Sequence, residues 1–66
     1  MKPHEQHVVE EHDELHEKIM KLDAFIETDP TFRALPAQEQ QALVVQAYVM
    51  CQYRELLYAR ISRFPK

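Results

Sequence analysis

The sequence predicts an all-α fold: an antiparallel two-helix hairpin, about residues 4–28 and 36–63, assembling into a helical homo-oligomer. Three observations carry this. Apolar residues in the first half recur at helical spacing, prolines delimit one short break, and the run Gln40–Tyr53 is uncharged and apolar on nearly every side of a helix. A partner helix covers about one stripe of such a helix, so the surplus argues for self-association.

The first helix is read from Val8, His12, Leu15, Ile19, Leu22 and Ile26, which alternate spacings of four and three with no Gly or Pro between His4 and Thr28. Glu17 and Lys21 add an i,i+4 ion pair in the favoured order. Asp29-Pro30 ends the helix, because a residue before proline is pushed out of the helical region and proline has no N–H to donate. Within the break, Pro30–Leu35 fits one helical turn capped by Thr28 or Asp29, with Phe32 and Leu35 turned inward. Pro36 suits the first turn of the second helix. That helix has an inner stripe of Leu43, Ala47, Met50, Arg54, Leu57, Ile61 and Phe64. Two further stripes remain: Val45, Val49 and Leu56, and Val44, Tyr48, Cys51 and Tyr58. Antiparallel alignment pairs Ile19 with Met50, Leu15 with Arg54 and His12 with Leu57, which puts Glu11 and Glu14 within reach of the arginine.

Size sharpens the case for assembly. A chain of 66 residues buries only roughly 60% of its unfolded surface, so some staple is expected. Cys51 is the only cysteine, which excludes an internal disulfide as that staple. No stretch of about 18 apolar residues is present and the N-terminus opens with polar residues after Met1 and Lys2, so neither a membrane partner nor a signal peptide is expected and the protein is placed in the cytosol. The formal net charge is −3, but residues 1–33 hold nine acids against four bases and residues 34–66 hold two acids against four bases. The halves attract, and the late basic cluster of Arg54, Arg60, Arg63 and Lys66 is too local for a nucleic-acid sheath.

Candidate chemistry is sparse. His12-Asp13-Glu14-Leu15-His16 sets two histidines at i,i+4, the zinc-protease spacing, but Asp stands where the glutamate base belongs and no third ligand follows. These histidines read as surface or seam residues. Cys51 reads as a small buried filler, and the carboxylates of the first helix as a solvated face. With no glycine there is no phosphate-cradling loop. The chain is read as non-enzymatic, without metal or cofactor. The suggestive group is aromatic and basic: Tyr48, Tyr53, Arg54, Tyr58, Arg60 and Arg63. Phenols stack on bases and forked guanidiniums grip phosphates, although protein interfaces use the same side chains.

The segments VVEEHDELHEKIMKLDAFI, FRALPAQEQ and QAYVMCQYRELLYARISRF, spanning Val8–Phe64, resemble a family of short proteins of tailed phages and prophages. In architecture the chain is also similar to the helical-hairpin anti-CBASS and anti-Thoeris sponges, though no pocket motif of theirs is matched residue by residue. The resemblance implies a counter-defence protein that acts by stoichiometric binding. The expected function is sequestration of a small anionic, cyclic nucleotide signal between subunits, with Arg54, Arg60, Tyr53, Tyr58 and His12 as the ligand-binding residues. The alternative is an inhibitor or adaptor that presents Val45, Val49 and Leu56 to a host protein.

Overall fold

A computed structural model describes residues 1–65; Lys66, one of the late basic residues, lies outside them. Three helices follow in order, α1 (Pro3–Thr28), α2 (Pro30–Ala34) and α3 (Ala37–Ser62), with no strand among the described residues. The molecule measures 47 × 15 × 14 Å. A 26-residue helix is about 39 Å long, so the two long helices lie side by side, with the chain reversed between them.

The ends of each helix have local causes. Pro3 opens α1 at a position where its missing N–H is not needed, and the Lys2 backbone N–H donates to Glu5 Oε1 at 2.9 Å. At the far end the Thr28 hydroxyl turns back to the Ala24 carbonyl at 2.6 Å, and Asp29, extended ahead of Pro30, leaves the helix. Asp29 then caps α2 by accepting the Thr31 N–H at 2.9 Å. The short helix buries Phe32, whose ring meets Phe25 edge-on with centroids 6.0 Å apart. Leu35, also expected inward, is half-buried. Pro36 occupies the cap position of α3, where its carbonyl accepts the N–H groups of Glu39 and Gln40. Gln40 adds a strap, donating its side-chain amide to the carbonyls of Arg33 and Leu35 at 3.2 and 2.8 Å.

The core is one thin seam. Val8, Ile19, Ala47 and Leu57 are buried, Leu57 completely, and every other residue of the two predicted inner stripes is half-buried. Burying a leucine of this kind contributes about 1.5–3 kcal/mol. Two features differ from expectation. Cys51 is half-buried rather than a fully buried filler, because it sits beside the seam and not in it. Arg54 takes His16 as its partner in place of Glu11 or Glu14, and Glu11 is engaged by Tyr53. No described helix is long and apolar enough to cross a membrane.

The outer side of α3 is bare. Val45, Val49 and Leu56 are each more than half exposed, as are Tyr48 and Tyr58. They are not the residues that hold α3 against α1.

Candidate functional site

Between them α1 and α3 leave an open recess of about 360 Å³ lined by His12, His16, Arg54, Glu55 and Tyr58. Helical spacing builds it. His12 and His16 stand one turn apart on α1, and their rings stack almost parallel, 3° between planes with centroids 6.4 Å apart. Arg54 and Tyr58 stand one turn apart on α3 and face them. The Tyr58 ring is tilted 44° to that of His12 at 6.2 Å.

Arg54 is the hinge of this arrangement. Its Nη1 donates to His16 Nδ1 at 2.9 Å, and Nη2 lies 3.9 Å from Cys51 Sγ. Arginine has no acceptor atoms, so His16 Nδ1 is the acceptor and the ring proton sits on Nε2. His12 Nδ1 meets Asp13 Oδ1 at 3.1 Å, which orients the second imidazole. The guanidinium is thus held by a neutral acceptor with no carboxylate ion pair among the described residues. Its charge is available to an anion at the mouth of the recess.

Of the residues predicted to bind, the fold brings together His12, Arg54 and Tyr58. Tyr53 and Arg60 lie elsewhere. Tyr53 is one residue before Arg54 and so rotated about 100° around the helix, where its hydroxyl donates to Glu11. That hydrogen bond holds the Tyr53 phenol above its ordinary value near 10, with burial and the charge of Glu11 adding to the effect and Arg60 opposing it. Arg60 therefore belongs electrostatically to the Tyr53 flank.

Two lining residues were not among the predicted set. His16 was signalled by its i+4 spacing from His12. Glu55 had a weaker signal, its i,i+3 relation to Tyr58, which counts only once the recess is known to open on that side of α3. Among the described residues, no group of three His, Cys, Asp or Glu side chains is placed to hold a metal ion.

Fold and recess together define a small all-α protein with an arginine-centred polar pocket between its two long helices. Residues 2–63 match the Sequestin family, and the chain belongs to that family. None of the curated proteins and none of the solved structures compared with the chain matches it.

Proposed function

We propose that this protein is a sponge: a helical hairpin that self-associates and sequesters a small anionic nucleotide signal, without catalysis, as a phage counter-defence protein in the host cytosol. The family name denotes sequestration, which supports binding over turnover. The observation that carries the ligand class is the Arg54 fork at the recess, held by His16 and flanked by the Tyr58 ring. A guanidinium in that setting donates two hydrogen bonds to a phosphate, and the phenol offers a face to a base. Glu55, on the rim, repels a phosphate brought too close and accepts hydrogen bonds from ribose hydroxyls or exocyclic amines. These opposed preferences orient a nucleotide and disfavour inorganic phosphate. Tyr53 and Arg60, on the other flank of α3, serve the assembly in this reading.

Calorimetry against a panel of cyclic di- and trinucleotides and ADP-ribose derivatives tests the proposal. At least one should bind stoichiometrically, and lose affinity in Arg54→Ala. Silence across the panel sinks it.

A second reading rests on the exposed row Val45, Val49 and Leu56, spaced as a helix presents anchors to a groove. In that reading the protein is an inhibitor or adaptor of a host protein. Pull-down separates the two, since a sponge recovers no stoichiometric protein partner.

A further inference from the structure

The outer face of α3 has more order than a greasy surface requires. Ala42, Val45, Val49, Gln52, Leu56 and Ala59 follow spacings of three, four, three, four and three, and the series reads the same backwards. All are exposed except Ala59, which is half-buried. Alternating threes and fours make a seam that packs against another helix, and a palindromic spacing with alanine at each end suits its own reversed copy.

Area points to the same occupant. A folded monomer of 7.9 kDa exposes about 4400 Å², whereas this chain exposes 5217 Å². The excess of about 800 Å² equals one partner's share of a standard interface. Part of it reflects elongation, since the radius of gyration is 14.9 Å against about 11 Å for a compact chain of this length. A second rod laid alongside widens the particle and brings it nearer to a compact shape.

We infer that two copies pair through α3, antiparallel about a two-fold axis between Val49 and Gln52, with Val45 against the partner's Leu56 and Ala42 against the partner's Ala59. Charge complementarity fits this register. It sets Arg60 beside the partner's Glu39 on one flank, twice by symmetry, and opposes the two helix dipoles. A parallel pairing also finds an opposite-charge flank, Glu55 with Arg60, but it brings Arg63 against its own mate. In the antiparallel pair the Gln52 amides meet near the axis, where one polar layer penalises slipped registers. On the other flank the partner's Tyr48 faces Glu55, so a phenol from one copy walls the recess of the other.

The inference rests on the self-association in the function proposed above and not on its ligand, so the test uses empty protein. In a Cys51→Ser background, Val45→Cys and Leu56→Cys are made singly, and each is oxidised alone and as an equimolar mixture. The mixture should give the mixed disulfide dimer in high yield and each variant alone almost none. In the antiparallel register a position-56 thiol lies about 16 Å along the axis from its mate, far beyond disulfide reach. Self-cross-linking of the single variants with no mixed product overturns the register while leaving self-association standing. A monomeric mass for the unmodified protein by sedimentation overturns both. As a second arm, Arg60→Glu should weaken the dimer roughly tenfold by placing two like-charge pairs, and adding Glu39→Arg should restore it. No recovery in a double variant of native helicity counts against the pairing.

Discussion

Tyr53 and Arg54 are neighbours in sequence with opposite duties, and their hydrogen bonds show why. The phenol donates to Glu11 and ties the helices on one side, while the guanidinium is held by His16 on the other. Because the bond to Glu11 favours the protonated phenol, Tyr53 should titrate above its ordinary value near 10. A group with a raised folded value supports the fold at neutral pH and withdraws that support as pH climbs through it. Phenolate absorbance should therefore show one late tyrosine, and Glu11→Gln should bring it forward; coincident titration of all three tyrosines would show that the bond does not form in solution. At Arg54, Ala should abolish ligand capture and cost the empty protein little in thermal melting, since the side chain is only half-buried. A large drop in melting temperature without ligand would make it a structural residue instead.

Among the elements, the five residues of α2 decide how the long helices are set. Asp29 caps the short helix, Phe32 closes the end of the seam, and Gln40 satisfies two carbonyls that the break would otherwise leave to water. Asp29→Ala should destabilise by about 1 kcal/mol and Phe32→Ala by about 3 kcal/mol or more, both read from denaturant midpoints. A loss at Phe32→Ala no larger than that at Asp29→Ala would show that the buried ring contributes no more than the cap. The position of α2 was legible in advance, because Pro30 and Pro36 bracket it and Asp29 is a strong cap. The Gln40 strap was not: it links residues seven and five apart through carbonyls that are free only because of how this break folds.

For the whole molecule, the thin core is the governing fact. One completely buried leucine and a few buried neighbours stabilise a 66-residue chain poorly, and the outer face of α3 offers the missing burial. In the proposed dimer, Val49→Glu should give monomers by placing a charge at the contact, with mass by sedimentation as the readout. An unchanged mass would remove the outer stripe from the interface. Thermal midpoints of the unmodified protein should also rise with protein concentration, because association stabilises by mass action; a midpoint independent of dilution would argue for a self-sufficient monomer.

The sequence by itself determined that the chain is helical, where the two long helices stop and which face of each turns inward, because periodicity and proline act locally. It also determined that α3 has more apolar faces than one neighbour can cover. What only the tertiary structure decided is which polar residues meet. Tyr53, Arg54, Tyr58 and Arg60 form one cluster along the chain, yet the rotation of α3 against α1 sends Arg54 and Tyr58 to the histidines and Tyr53 to Glu11. The physical reason is angular: adjacent residues on a helix diverge by about 100°, so a cluster in sequence becomes a site only on the side that a second helix walls in.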